Sequence, residues 1–143
     1  MFYGEYFHSL DEKNRVGLPS KIRDLLRAEQ IDSIVVTRGL EHCLFAYTPE
    51  EWRKLVDKLS SLPVTKSGAR KLTRMFFSGA SVTRPDRQGR FIVPQNLKKY
   101  AGINKEVVFI GVHDRLEIWS KEAWEEFSST TEETLEEFAE DIW

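Results

Sequence analysis

An internal repeat constrains this chain before any single element is assigned, because a duplicated unit dictates how the copies must bury one another. Asp11, Arg15 and Pro19 lie 75 positions before Asp86, Arg90 and Pro94, with apolar residues between the Arg and the Pro in both places. Gly4 matches Gly79 at the same offset. Further along, the offset becomes 72: Leu44 to Thr48 aligns with Leu116 to Ser120, and Trp52 with Trp124, so the intervening loop differs by three residues. Matching order over about fifty residues with one small gap means two copies of one unit.

Each copy has the same grammar. A β-rich run (Phe2 to His8; Phe77 to Thr83) enters a polar turn at the Asp, then a short strand that starts at the Arg and is stopped by Pro, which has no N–H for a ladder. Short helices follow over Ser20 to Ala28 and Gln95 to Tyr100, the first with Ile22, Leu25 and Leu26 on one face. Two strands come next in each copy, Ser33 to Arg38 with Cys43 to Tyr47, and Glu106 to Val112 with Arg115 to Trp119. Tight turns containing Gly39 and Gly111 are expected between them. A helix closes each copy; in the first, Thr48 is the N-cap, Pro49 opens the first turn, and Trp52, Leu55, Val56 and Leu59 form the inner stripe. A unit of roughly 45 residues buries too little surface to stand alone, so the two must share a core. The connector Ser60 to Met75 reads as a helix, with Ala69, Leu72 and Phe76 inward and Lys66, Arg70 and Arg74 on one stripe. Leu135, Phe138, Ala139 and Ile142 give an acidic final helix a narrow apolar stripe.

A formal net charge of −2 conceals a strong polarity. Residues 61–100 carry nine basic side chains against one acid, Asp86, whereas the last 43 residues carry three basic and twelve acidic. This predicts either a polyanion site shielded from its own tail or two surfaces that neutralise each other. The longest apolar run, Val107 to Val112, is far below the roughly 20 residues of a membrane span. The opening Met1-Phe2-Tyr3-Gly4-Glu5 lacks a basic n-region, so no secretory signal and a cytoplasmic location are expected. One cysteine, Cys43, and three histidines make a zinc site unexpected, and no cofactor is expected either.

The chemistry-bearing candidates are the two Asp-x-x-x-Arg turns. Lys13, Asn14 and Arg15 in one copy, and Arg87, Gln88 and Arg90 in the other, form the donor set that phosphates and guanine edges require. The competing reading is structural: each Asp accepts bonds from its own turn and pairs with the Arg four residues on. Repetition alone does not separate the two. The Lys66, Arg70, Arg74 stripe with Lys71 beside it extends a DNA-facing surface, is a solvated helix face, or pairs with the acidic tail. An enzyme is not expected. His8, His42 and His113 are not repeat-equivalent, no nucleophile or acid–base spacing is present, and Gly-rich phosphate loops are absent. Cys43 reads as a core residue.

Where Met1-Phe2-Tyr3-Gly4-Glu5 runs into Ser9-Leu10-Asp11-x3-Arg15-x3-Pro19, and Asp86-x3-Arg90-x3-Pro94 recurs after a basic helix, the sequence resembles the MraZ family over essentially its whole length. The resemblance implies a mainly β fold with short helices. Two tandem SpoVT-AbrB-type swapped-hairpin modules would form an intrachain pseudo-dimeric double-split β-barrel, with a connecting helix and an acidic C-terminal helix. Module 1 would span 5–47, the capped and basic connecting helices 48–75, module 2 76–119 and the acidic segment 120–143. It implies a nucleoid-associated bacterial transcriptional regulator without enzymatic activity, a small-molecule substrate or a membrane. Such a protein binds double-stranded promoter DNA at short direct repeats upstream of the division and cell-wall gene cluster, as a homo-oligomeric ring of about eight subunits. Carried across by position, it puts Asp11, Lys13, Asn14, Arg15, Asp86, Arg87 and Arg90 on the DNA-binding surface. The second copy departs at Gln88-Gly89, so the two turns need not read DNA equivalently. The alternative is an oligomeric interaction scaffold or an antitoxin-like partner-binding module. Phe76, Phe77 and Trp143 are the aromatic candidates for a contact between subunits.

Overall fold

Residues alternating between two apolar environments form the centre of the computed structural model, which describes all of residues 1–143. In chain order the elements are β1 (Phe2–Ser9), β2 (Arg15–Gly17), α1 (Ser20–Ala28), β3 (Ile34–Arg38), β4 (Leu44–Tyr47), α2 (Pro49–Ser60) and α3 (Ser67–Gly79). The second copy supplies β5 (Ser81–Thr83), β6 (Arg90–Ile92), α4 (Gln95–Tyr100), β7 (Glu106–His113), β8 (Leu116–Ser120) and α5 (Lys121–Ile142).

Six strands make one antiparallel sheet in the order β1-β7-β8-β4-β3-β5, and β2 pairs with β6 in a separate ribbon. Exchanging the copies (β1 for β5, β3 for β7, β4 for β8) turns that order into its own reverse. The first strand of each copy therefore pairs with the hairpin of the other, which is a swapped-hairpin arrangement within one chain. The register fixes the pseudo-two-fold axis at two points. Val16 pairs with Phe91, its own equivalent at offset 75, and Phe45 pairs with Glu117, its own equivalent at offset 72.

Side chains of β3, β4, β7 and β8 alternate with the period of two that a strand imposes. Ile34, Val36, Leu44, Ala46, Val107, Phe109, Leu116 and Ile118 face a core that they share with Val16 and Phe91 of the ribbon, Ile22 and Leu26 of α1, and Leu97 of α4. Phe45, Tyr47, Trp119 and Ile110 point the other way, into a second cluster beneath α2, α3 and the start of α5. The two sheets enclose the main core without strand pairing closing the barrel. The ribbon and the long helices thus lie on opposite faces of the six-stranded sheet.

The shared ancestry of the copies shows in the caps. Thr48 Oγ1 accepts from the Glu51 N–H at 3.3 Å, and its equivalent Ser120 Oγ accepts from the Ala123 N–H at 3.1 Å. Symmetry fails where the chain between the copies takes part. The strand expected from Phe77 shortens to Ser81–Thr83, because α3 continues through Gly79. The connector is not one helix over Ser60 to Met75: α2 ends at Ser60, and α3 starts only after Pro63 and the following turn. What prolongs α3 is tertiary. Thr37 Oγ1 donates to the Phe76 carbonyl at 2.6 Å, and Arg38 Nη1 donates to the Met75 carbonyl and to Ser78 Oγ, each at 3.0 Å. Phe76 is consequently buried, so of the three candidate contact aromatics only Phe77 and Trp143 remain exposed. Gly111 also lies elsewhere than expected, inside β7 opposite Gly4, while His113 with φ 63° makes the β7–β8 turn.

The Thr37 bond has a measurable consequence. Thr37 is fully buried, so Thr37→Val keeps the shape and orphans the Phe76 carbonyl. A loss of about 1–3 kcal/mol is expected in urea unfolding, with an unchanged m-value. A neutral result would show that α3 holds to β3 by apolar packing alone.

Candidate nucleic-acid interface

Both Asp-x-x-x-Arg turns are built by the same bonds. Asp11 Oδ1 accepts from the N–H of Lys13 and of Arg15, each at 2.9 Å, and Asp86 Oδ1 accepts from Gln88 and Arg90 at the same distances. The second carboxylate oxygen takes the arginine Nε, at 2.8 Å in the first copy and 3.0 Å in the second. A backbone pair closes each turn, Asp11 N–H to the Arg15 carbonyl and Asp86 N–H to the Arg90 carbonyl, both at 2.8 Å. The aspartate is therefore an architectural residue. Its arginine is different: no hydrogen bond within the chain uses the Nη groups of Arg15 or Arg90, and the side chains stay 29% and 32% exposed. Locked at Nε and open at Nη, each guanidinium is held in one orientation with a donor edge free.

The ribbon brings the two turns together. Around the Val16–Phe91 pair, Leu18 N–H donates to the Gly89 carbonyl and Val93 N–H to the Asn14 carbonyl, each at 2.9 Å. These bonds are equivalents of one another under the 75-residue offset. Asn14 and Gly89 occupy one position, with φ of 59° and 77°. Left-handed backbone suits Asn and Gly, which explains the apparent departure at Gln88-Gly89: this site selects for conformation. Of the predicted site residues, Lys13, Asp86 and Arg87 are exposed, as is Asp11, while Asn14, Arg15 and Arg90 are partly covered.

Two cations sit beside the turns that the motif spacing did not single out. Lys98 Nζ donates to Asn14 Oδ1 at 2.8 Å, so Asn14 is engaged within the chain. Arg23 lies against Gly89, filling the space that a side chain there would need. Residues 23 and 98 are 75 apart, so the repeat offset itself is the signal that identifies them. Each turn is thus flanked by a cation from the helix after its partner strand. By contrast the Lys66, Arg70, Arg74 stripe is on the far face of the sheet, with Arg70 Nη1 donating to the Val64 carbonyl.

The charge state of the turns follows from the same geometry. The Arg15 backbone N–H, with help from its guanidinium and the Lys13 N–H, holds the Asp11 carboxyl below the usual carboxylate range, against a smaller opposing effect of desolvation. Asp86 is lowered by the equivalent groups of Arg90 and Gln88. A depressed folded-state pKa gives stabilisation that is complete above the ordinary value of about 4 and lost as pH falls through the folded value. Carbon-detected NMR titration should find both carboxyl midpoints below those of the urea-unfolded chain. Midpoints at or above the unfolded ones would contradict the turn as described.

Cys43 is wholly buried, with burial pushing its thiol upward, and it donates to the Leu40 carbonyl at 3.2 Å. His8 packs edge-on against Phe109 and His42 lies over Tyr100, so each meets an aromatic ring and not a reactive group. No helix is long and apolar enough to cross a membrane.

Comparison with known families agrees with this duplication. The family model for MraZ protein, described as antitoxin-like, matches twice, at residues 1–75 and again at 76–142. The two matches meet at the offset that relates Val16 to Phe91, and with both copies accounted for, this chain belongs to the MraZ family.

Proposed function

We propose that this protein is a sequence-specific DNA-binding transcriptional regulator that acts on the nucleoid in the cytoplasm, using Arg15 and Arg90 with Lys13 and Arg87 as donors and Asp11 and Asp86 as the scaffold of each turn. The observation that carries this reading is the pair of equivalent turns, side by side on one ribbon, each presenting a guanidinium with its outer edge open. Arginine so oriented matches the O6 and N7 acceptors of guanine, or a phosphate. Arg23 and Lys98 add charge beside it.

Asymmetry shapes the target. A true two-fold dimer reads a palindrome, but the pseudo-dyad here sets Lys13-Asn14 against Gln88-Gly89, so a bound chain has one preferred direction. Several copies in the same direction read direct repeats, most favourably about 10 base pairs apart so that successive sites share one DNA face. One pair of turns offers few phosphate contacts, and a multi-copy ring raises affinity by effective concentration. The operator belongs, on this reading, to the chain's own promoter in the division and cell-wall cluster.

Titrating labelled promoter DNA that carries the repeats tests this. Retardation should be selective over scrambled repeats, and affinity should fall by about 10³-fold between 50 and 200 mM salt for 6 phosphate contacts. A complex with a second protein and no selective shift would instead assign the chain to the antitoxin-like or scaffold class.

A further inference from the structure

We propose that the acidic distal half of α5 docks against a second copy of this chain, in the cationic groove between α3 and the β3–β4 turn. The inference rests on the reading of the protein as a multi-copy assembly, and it names the two surfaces that would join neighbours.

The helix itself supplies the first half of the argument. Its first turns are anchored: Trp124 and Phe127 pack against Trp119 with ring centroids 5.4 and 5.1 Å away. Beyond them, Leu135, Phe138 and Ile142 form a stripe that is 59%, 52% and 78% exposed. The flanks are wholly acidic. Glu132, Glu136 and Glu140 follow at i, i+4, i+8, as do Glu133, Glu137 and Asp141. Like charges at that spacing destabilise a helix, so this segment needs both an apolar partner and countercharge.

The groove offers both. A cavity of about 360 Å³ is lined by Leu40, Leu72, Met75 and Tyr100, with Arg38 and Lys71 at its edge. Leu40 in the β3–β4 turn and Met75 on α3 are large apolar side chains left exposed. Lys66, Lys71 and Arg74 along α3 pair with no carboxylate of the chain. The −/+ polarity of the sequence therefore becomes a pair of complementary surfaces.

Geometry favours a neighbour over the chain's own groove. α5 is one unbroken helix seated on β7 and β8, and α3 is tied to β3 further along the sheet. Phe138 stands roughly 16 Å beyond Phe127 at 1.5 Å per residue, and with Leu135 and Ile142 it is exposed, while no residue of α5 lines the chain's own groove. Tail into groove is a heterologous contact, which repeats from copy to copy until it closes. The groove runs from α3, on the face away from the turns, to Tyr100 at the end of α4, and none of Lys13, Arg15, Arg87 and Arg90 lines it, so docking leaves those donors free.

Disulfide trapping decides the matter, since the native Cys43 is buried. Met75→Cys and Phe138→Cys chains, mixed and oxidised, should cross-link at twice the 16.7 kDa chain mass, at least tenfold more than a Lys21→Cys chain mixed with Phe138→Cys. In parallel, the Lys71→Glu, Arg74→Glu variant should fall to lower mass in light scattering, and adding Glu136→Lys, Glu140→Lys should restore it. No cross-link above the control overturns the proposal, as does a cross-link confined within a doubly substituted chain. These outcomes are independent of DNA: selective retardation without the cross-link sinks only the docking surface, and the cross-link without retardation sinks only the regulator.

Discussion

Replacing Arg15 and Arg90 together by alanine is expected to weaken binding to repeat-bearing DNA by about 10³-fold while leaving melting temperature and assembly mass unchanged. The separation follows from how each turn is bonded. The carboxylates of Asp11 and Asp86 still receive two backbone N–H bonds after the arginines are gone, and the backbone pair that closes each turn does not involve the side chain. The ion pairs that are lost sit at the surface, where solvent screening leaves such pairs contributing little to stability. The guanidinium edges, in contrast, are each worth about 1–3 kcal/mol of base discrimination, and two of them at about 2 kcal/mol give the stated factor. Gel retardation with repeat and scrambled DNA, alongside calorimetry and light scattering, measures all three quantities. Aggregation or a changed mass would place the arginines in the architecture, and an undiminished shift would remove them from the interface. Asp11→Ala makes a useful contrast, because it deletes the scaffold of the turn and should lower binding and order of the loop together.

How far a sequence discloses such a site depends on whether its signals are local. The turns were legible because their bonds join residues two and four apart, and the short helices because Ile22 and Leu26, or Leu97, follow local periodicity onto the core. The repeat disclosed only that two copies share a core; the swap of strands entered through the family resemblance, because which strand of one copy pairs with which of the other, as Val16 does with its own equivalent, is not written in the repeat. Arg23 and Lys98 escaped the motif because they reach the turns across the pseudo-dyad, a relation that spacing within one copy does not contain. The length of α3 escaped for the same kind of reason. Phe77 to Gly79 follow a β-like pattern, yet Thr37 and Arg38 on β3 fix the last turn of α3 by bonds to the Phe76 and Met75 carbonyls and to Ser78 Oγ. The placement of the basic stripe, on the face away from the ribbon, is decided by the alternation of buried residues along β4, all four of which are covered on both sides.

Gly111 carries the largest expected effect on stability, and it also shows why a glycine read as a turn signal was misread. Glycine inside a strand weakens it unless another backbone must come close, and that is the situation here. A side-chain carbon at position 111 would meet the backbone of Tyr3 and Phe2 in β1, closer than carbon atoms pack, with no flexible group able to yield. Gly4 faces it across the ladder with φ of 104°, so the two glycines together let β1 cross β7 at short range. Gly111→Ala must therefore push the start of β1 outward, withdrawing the buried Phe2 from the main core and opening the ladder near its Phe2–His113 end. Overpacking against rigid backbone costs about 3 kcal/mol, at the upper end of the usual range. For a domain of this size that corresponds to a fall of roughly 10 °C in melting temperature. Hydrogen exchange should localise the damage, with amides of Tyr3 to Glu5 and Gly111 to His113 losing protection before those of β4 and β8. A variant that melts with the parent and keeps those amides protected would mean that β1 is free to shift, and the close crossing would then owe nothing to the glycine pair.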